Sequence, residues 1–391
     1  MSVLEPPPFP PPVWEINRAR ARFDADAYAE MVALVARAEQ SVRMEFFLFG
    51  GPVADTIIDL LIAKIAAGVR VRVTLDRMRG SLPFVRHECR KAHRRLIAGG
   101  VDVLLSDPRP FPHSPRRPAV THNKFLVVDD REALVGGMNV GALFFRHHDV
   151  MIHLEGPAAL ALARQFDYDR SWITATTEAR LRDHRGLPPV MVETPVPHQR
   201  LEHGESWARL LGTGVGRRTT ETSVLASLRA AQSSVDISMS EIGRTESLGE
   251  VIAAHARGVN VRVLVDPQDL REYLPPLLGP LRAHFPKGVL NALAVRDLRA
   301  AGVAVRQFEV GQEFALLHQK TAIFDRGGAI VGSTNWTRGG FGWVGETDVE
   351  LRGGAVIGEL LAQFERDWER STAAVPPSLT ARIGCALYER I

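Results

Sequence analysis

Two stretches of this sequence carry the same chemically useful residues in the same order. The stretch VTHNKFLVVDDREALVGGMN (120–139) contains His122, Lys124, Asp129, Gly137 and Asn139. The stretch LLHQKTAIFDRGGAIVGSTN (316–335) contains, at the matching positions, His318, Lys320, Asp325, Ser333 and Asn335. A single histidine two residues before a lysine arises by chance, but the whole pattern with identical spacing does not. We therefore treat the two stretches as one motif used twice.

These residue types suit a phosphodiester. Residues two apart on a strand point to the same side, so the histidine and lysine of each motif project together, and a hairpin return brings the asparagine back beside them. Lysine and asparagine groups can bind the non-bridging oxygens and stabilise charge in the transition state. One imidazole can attack phosphorus, and the other can move protons at the leaving and attacking oxygens. Because the lysines supply positive charge, we expect neither a metal nor a cofactor.

The acidic residues have two expected roles. Asp129 and Asp325 are grouped with the candidate catalytic residues as part of the motif, but they fall at the far turn, where we expect them to position the hairpin. A nucleophilic histidine also needs a partner that fixes its tautomer. Asp149 and Glu346 follow the two motifs at similar distances. Asp348 competes with Glu346, since alignment of the strands DVMI and DVEL pairs it with Asp149; the spacing favours Glu346.

The elements that position these residues repeat as well. The segment AAGVRVRVTLD (66–76) recurs as ARGVNVRVLVD (256–266), each after an apolar strand and a helical pattern. This predicts a β-α-β unit with parallel strands in each copy. We therefore expect an α/β protein with two similar halves, each a mixed β-sheet flanked by helices. The halves should pack about a pseudo-two-fold axis, with the active site at their interface. The predicted boundaries are a Pro-rich arm (1–13), a first half (14–178), a linker (179–199) and a second half (200–391).

Composition limits the class of protein. The 391 residues are 45% hydrophobic and 24% charged, with a net charge of +3, which is typical of a globular protein and mildly favours an anionic partner. No apolar run reaches the length of a membrane span. The two cysteines, Cys89 and Cys385, form no disulfide framework. We expect a cytoplasmic protein, peripheral at the inner face of the cell membrane; the sequence does not indicate its oligomeric state.

The paired motifs resemble the HxKxxxxD motifs of the phospholipase D superfamily, each with its trailing G-(G/S)-x-N, over nearly the whole chain. The segments MEFFLF, GGMN and HHDVMIHLEGPA are most similar to the bacterial cardiolipin synthase branch. The resemblance implies a phospholipase D-like fold for both halves and a phosphohistidine intermediate without a metal. It also implies that His122 is the nucleophile and His318 the general acid and base. In that branch a phosphatidyl group moves between alcohols, which implies a phospholipid substrate.

Alternatives remain at this stage. The segment GSTNWT (332–337) is more similar to nuclease-type members, so a metal-independent nuclease acting on nucleic acid is the second hypothesis, and a scaffold that has kept only the fold is the third. The basic cluster 86–95 is either a solvated helix face or a contact with anionic lipid or nucleic acid. The 273–290 segment is a candidate for a lid or a membrane contact, or it packs against the neighbouring half. Phe341 and Trp343 are candidates for a membrane contact, for stacking on bases or for lining an acyl pocket.

Overall fold

The computed structural model describes most of both halves: residues 12–77, 83–106, 110–111, 114–118, 121–141, 146–174, 197, 199–214, 217–267, 291–311, 313–342 and 344–388. The arm up to residue 11, nearly all of the predicted linker, the 273–290 segment and Trp343 lie outside these residues.

Among the described residues there are ten helices: α1 (Asp24–Arg37), α2 (Pro52–Ala66), α3 (Pro83–Ala98), α4 (Pro157–Thr174), α5 (Thr219–Ala230), α6 (Glu246–Ala256), α7 (Ala292–Ala300), α8 (Arg338–Gly342), α9 (Ala355–Arg370) and α10 (Leu379–Tyr388).

The strands of the first half are β1 (Glu15–Phe23), β2 (Ser41–Phe46), β3 (Arg70–Leu75), β4 (Asp102–Leu105), β5 (Pro110–Phe111), β6 (Ser114–Pro118), β7 (Lys124–Val128), β8 (Glu132–Gly136), β9 (His147–His148) and β10 (Val150–Glu155). Those of the second half are β11 (Glu205–Gly214), β12 (Arg217–Arg218), β13 (Ser234–Met239), β14 (Asn260–Val265), β15 (Ala304–Gln307), β16 (Leu316–Leu317), β17 (Lys320–Phe324), β18 (Gly328–Gly332), β19 (Glu346–Arg352) and β20 (Thr372–Ala373).

The predicted β-α-β units are confirmed in both halves. Strand β2 pairs in parallel with β3 after the crossover helix α2, and β13 pairs in parallel with β14 after α6. The strand order of the large sheet is β20-β15-β14-β13-β17-β18-β19-β11-β1-β10-β8-β7-β2-β3-β4. Apart from the short edge strand β20, the order reads the same from either side of the β11–β1 pair. The repeat in the sequence is therefore a repeat in the fold.

The two halves share both a hydrogen-bonded ladder and a core. Strands β1 and β11 pair antiparallel and join the half-sheets into one 16-stranded sheet. This sheet folds back so that β8 packs against β19 and β10 against β18. The central core takes side chains from both halves, including Phe125, Phe166, Val331 and Phe364, while a separate outer core lies under the helices of each half. The α/β architecture with two similar halves is confirmed.

Each motif forms the predicted hairpin, β7–β8 in the first half and β17–β18 in the second. Asp129 and Asp130 begin the first turn with φ of 53° and 57°, and Asp325 and Arg326 begin the second with 50° and 54°. Aspartate tolerates this left-handed conformation better than most residues, which explains its place at the first turn position.

No described helix is both long enough and apolar enough to cross a membrane.

Candidate active site

Each motif histidine is anchored on the backbone of the opposite half. The His122 N–H donates to the Gly345 carbonyl at 2.7 Å, and the His318 N–H donates to the His148 carbonyl at 2.8 Å. These paired contacts bring the entrances of β7 and β17 to one place at the interface. The two motifs, which lie almost 200 residues apart in the sequence, therefore form a single site.

The acidic partners also cross the interface. His122 Nδ1 lies 2.8 Å from Glu346 Oε2, and His318 Nδ1 lies 2.7 Å from Asp149 Oδ2. Strand register pairs Gly332 with Asp348, whereas Gly136 pairs with Met151. Glu346, two residues before Asp348, is thus the structural counterpart of Asp149.

Asp348 has different contacts, because its carboxylate accepts hydrogen bonds from the hydroxyls of Thr220 and Thr334. The sequence spacing identified the two acids, but it gave no indication that each would serve the histidine of the other half.

The two lysines are buried between the histidines. The Lys124 Nζ donates to the His122 carbonyl at 2.6 Å, and the Lys320 Nζ donates to the His318 carbonyl at 2.5 Å. Burial lowers the pKa of Lys124 to about 7 and also lowers that of Lys320. A bound anion would counter this effect, since an opposite charge favours the charged form of an amine.

The histidines are held in their neutral form. Burial lowers the pKa of both His122 and His318 well below the usual value, and both lysine ammonium groups lower it further. Burial raises the pKa of Glu346 and Asp149, while Lys124 opposes that rise for Glu346 and Lys320 opposes it for Asp149. A neutral imidazole retains the lone pair that a nucleophile requires.

Small residues allow the strands to approach one another beside the histidines. A Cβ at Gly137 would lie 2.3 Å from Asp149 Oδ1, so a side chain there would displace the carboxylate that holds His318. Ser333 occupies the matching position, where its N–H donates to the Thr347 carbonyl at 3.1 Å.

The two motif asparagines have different surroundings. The Asn139 Oδ1 accepts a hydrogen bond from the Leu48 N–H at 3.3 Å. The Asn335 Oδ1 is buried and has no hydrogen-bond partner among the residues that the structure describes.

The motif aspartates lie away from this site. The Asp129 carboxylate accepts hydrogen bonds from the N–H groups of Glu39, Gln40 and Ser41 at 2.7–2.9 Å. Asp325 binds residues 232–234 in the same way. Grouping these two aspartates with the catalytic residues is therefore corrected. They are positioning residues that tie each hairpin to the loop preceding β2 or β13.

Several residues of the site were missed in the sequence. The Phe47 ring lies edge-on to His122, with 4.6 Å between ring centroids, and the Lys124 Nζ lies 5.5 Å from its centroid. The His147 ring lies 5.3 Å from His318. The Glu241 carbonyl accepts from the Trp336 N–H, and burial raises the pKa of the Glu241 carboxyl while both lysines lower it. An alignment of the two halves would have revealed Glu241. It matches Leu48, two residues after β2, with Glu241, two residues after β13, and so sets an acid against an apolar residue.

Two other candidate segments differ in their exposure. Phe341 is buried against Trp336, so it cannot insert into a membrane or stack on a base. On α3, Cys89 and His93 are buried, whereas His87, Arg90, Lys91 and Arg94 are exposed, which fits both a solvated helix face and a contact with anionic lipid or nucleic acid.

His148, which follows His147 in the segment RHHD (146–149), has carboxylate partners at both ring nitrogens. Both ring nitrogens of His148 lie 2.9 Å from carboxylates, of Asp24 and of Asp367. Among the described residues, no group of three or more His, Cys, Asp or Glu side chains is arranged to hold a metal ion.

Comparison with known proteins identifies the family. The model of the cardiolipin synthase, PLD-like domain family matches residues 31–170 and 224–368, one segment in each half. The protein named "Probable cardiolipin synthase YwiE" of Bacillus subtilis is 24% identical over 90% of this chain and 66% of its own length. Cardiolipin synthase A of Pseudomonas aeruginosa is 26% identical over 92% of this chain and 69% of its own length.

A solved structure has the same fold. The phosphatidylserine synthase of Haemophilus influenzae has a TM-score of 0.68 at 12% identity, covering 95% of this chain and 92% of that one. The chain spans about two thirds of the length of the curated relatives it matches. The family model covers most of both halves, and the motifs it spans meet at one site; the chain therefore belongs to the cardiolipin synthase, PLD-like domain family.

Proposed function

We propose that this chain is a phospholipase D-type phosphodiesterase or phosphatidyltransferase that acts on glycerophospholipids in the manner of a cardiolipin synthase. One observation carries the proposal: two imidazoles at one interface, each held at Nδ1 by a carboxylate of the opposite half, with two buried lysines beside them. This arrangement offers a nucleophile, a proton carrier and a fixed positive field to a tetrahedral phosphate.

In the first step, the Nε2 lone pair of His122 attacks phosphorus. The bond from phosphorus to the leaving alcohol breaks, its electron pair goes to the alcohol oxygen, and His318 donates a proton to that oxygen. Glu346 accepts the Nδ1–H of His122 and so fixes the tautomer in which Nε2 is the nucleophile. The negative charge of a bound diester raises the pKa of His318, so that its imidazole takes up from solvent the proton that it then donates.

In the second step, His318 removes a proton from an acceptor alcohol or water. The oxygen of that acceptor attacks phosphorus, and the phosphorus–nitrogen bond breaks to regenerate His122. Lys124, Lys320 and the asparagine amides stabilise the non-bridging oxygens in both transition states. Asp149 orients His318 for both proton transfers.

An apolar wall beside His122 supports a lipid substrate. Phe47 contacts the His122 ring and packs with Leu48, Val85 and Cys89. Such a wall accommodates the apolar part of a glycerophospholipid and keeps water from the phosphohistidine. Contact with the membrane surface is part of the proposal, since the substrate resides there.

The test offers purified protein phosphatidylglycerol vesicles and, separately, single-stranded DNA. We expect turnover of the lipid, no cleavage of DNA, and no effect of EDTA on the rate. The His122→Ala variant should be inactive while keeping the wild-type melting temperature, which serves as its folding control. Cleavage of DNA without lipid turnover would establish the nuclease alternative, and neither activity would favour the scaffold.

The identity of the nucleophile requires a separate experiment. After a brief reaction with lipid labelled at phosphorus, a denaturing quench at alkaline pH preserves the acid-labile phosphorus–nitrogen bond, and peptide mapping should find the label on His122. Label on His318 would reverse the two roles, and a requirement for a divalent metal would contradict the proposed mechanism.

A further inference from the structure

The chain leaves β13 directly beside the second motif. The Ser240 N–H donates to the Gln319 carbonyl at 2.9 Å, and the Glu241 carbonyl accepts from the Trp336 N–H at 3.0 Å. Gln319 follows His318, and Trp336 follows Asn335. The backbone of Glu241 is therefore fixed between the strand that carries the second catalytic histidine and the turn that carries the second motif asparagine.

The Glu241 side chain belongs to the charge cluster of the site. Burial raises its pKa, Lys320 and Lys124 lower it, and Glu346 raises it. Glu241 in turn acts on the ionisation of Lys320. Its carboxylate accepts no hydrogen bond from any residue in the described part of the chain. Because a carboxylate repels a phosphodiester anion, Glu241 does not contribute to binding the phosphate itself.

A second acceptor belongs to the residue before Trp336, whose N–H donates to the Glu241 carbonyl. Among the described residues, the buried Asn335 Oδ1 has no hydrogen-bond partner, and a buried acceptor left in this state costs about 1–3 kcal/mol. A buried acceptor without a partner, next to a partly exposed carboxylate, favours a ligand that brings hydrogen-bond donors. Neither the phosphate oxygens nor the acyl esters of a lipid have such donors, whereas hydroxyl groups do.

The first half lacks this feature at the matching place. The Phe47 N–H donates to the Asn123 carbonyl at 3.0 Å, and Phe49 bridges to Val140, as Ile242 bridges to Trp336. By this correspondence, Leu48 is the first-half counterpart of Glu241. The Leu48 N–H satisfies the Asn139 oxygen. The site is thus apolar beside His122 and rich in acceptors beside His318.

We propose that Glu241 and Asn335 form a subsite for the hydroxyl groups of a polyol head group, such as the glycerol of phosphatidylglycerol. This inference rests on the proposed function and specifies the substrate class and its orientation. With the head group on the second-half side, the leaving oxygen lies next to His318, which protonates it as its bond to phosphorus breaks. His122 then attacks from the opposite side, in line with the leaving oxygen.

The test compares two lipids that differ only in the head group. Phosphatidylglycerol carries head-group hydroxyls, and phosphatidylmethanol carries none. Glu241→Leu installs the residue that the first half has at this place, so the fold should accept it. Glu241→Gln keeps a hydrogen-bond acceptor without the charge. Glu369→Gln is the matched control, since Glu369 is exposed and makes no contact with the described residues of the site.

For Glu241→Leu we expect kcat/KM on phosphatidylglycerol vesicles to fall roughly 10- to 100-fold, with phosphatidylmethanol changed less than about threefold. Glu241→Gln should retain most of the activity on phosphatidylglycerol, and Glu369→Gln should equal the wild type. An equal loss on both lipids, or no loss on either, would overturn the subsite.

Two further outcomes also count against it. If Glu241→Gln is as impaired as Glu241→Leu and the wild type prefers phosphatidylethanolamine, the subsite binds an ammonium group and the polyol assignment is wrong. A wild-type protein that turns over neither lipid refutes the proposed function itself, and the subsite with it. That result is distinguishable because it appears before any variant is made.

Discussion

Replacement of His148 should weaken the joint between the two halves in a way that depends on pH. The His148 ring is buried and bridges Asp24 of the first half and Asp367 of the second, and it stacks on Phe308 with 5.2 Å between centroids. Burial alone would lower the pKa of this imidazole. The hydrogen bonds with the two carboxylates outweigh burial and raise the pKa from 6.5 to about 9.

The size of this stabilisation follows from the difference between the pKa values of His148 in the folded and unfolded protein. A histidine whose pKa is higher in the folded than in the unfolded protein stabilises the fold fully below the unfolded value and loses that effect as pH rises through the folded value. The difference between 6.5 and about 9 corresponds to about 3 kcal/mol, at 1.36 kcal/mol for each pH unit. This contribution should be nearly complete at about pH 6, partly lost at neutral pH and absent near pH 10.

The assay is equilibrium urea unfolding, followed by fluorescence, of the wild type and of His148→Gln between pH 6 and 10. We expect the variant to be less stable by about 3 kcal/mol at the acid end, with the gap closing toward the alkaline end. Groups other than His148 titrate in both proteins, so the gap between them isolates this residue. The control is His87→Gln, on the exposed face of α3. A gap that stays constant with pH, or widens as pH rises, would refute the assignment of a buried imidazolium.

Three further outcomes follow from the site geometry. Asp129→Ala removes the acceptor for three backbone N–H groups. It should lower the free energy of unfolding by about 1–3 kcal/mol while leaving the pH profile of kcat unchanged; a shifted profile would mean that Asp129 acts on the reacting groups. Glu346→Gln should lower kcat roughly 10²- to 10⁴-fold with little change in melting temperature, because the amide cannot enforce the tautomer of His122; full activity would exclude that role. Gly137→Ala places a Cβ where the Asp149 carboxylate lies, so kcat should fall with little change in KM, and a wild-type rate would show that Asp149 does not need its present position.

The repeat made much of the fold predictable. Internal similarity predicted the β-α-β units and the hairpins, because strand and helix periodicities are local properties that both halves express independently. The packing of the two halves about a common interface also followed from the repeat, with β8 against β19 and β10 against β18. The continuous ladder through β1 and β11 did not, since edge pairing between distant strands has no local signal.

The site was less predictable than the fold, for a physical reason. Spacing within one motif identifies residues that share a strand face, but the partner of a buried histidine is chosen by packing across the interface. Hence Asp149 and Glu346 were recognisable as acids while their exchange between halves was not. The role of His148 was hidden because adjacent histidines look alike in sequence, and nothing local indicates that the His148 ring lies between the carboxylates of Asp24 and Asp367.

Each motif histidine contacts a carboxylate of the opposite half, and this links catalytic activity to the stability of the interface. Each half supplies a histidine that the other half must orient, so the halves gain their catalytic geometry only when docked. Residues 148 and 149 contribute both to the docking of the halves and to the orientation of His318. The His148 ring joins the halves, and the His148 carbonyl accepts a hydrogen bond from the His318 N–H. The Asp149 carboxylate holds the His318 ring. Loosening this joint at high pH should therefore disturb His318 before it unfolds either half. Since His318 carries the proton in both proposed steps, we expect kcat of the wild type to fall near pH 9 at urea concentrations too low to unfold the protein. In His148→Gln, where that titration is removed, kcat should be low throughout and lack this fall.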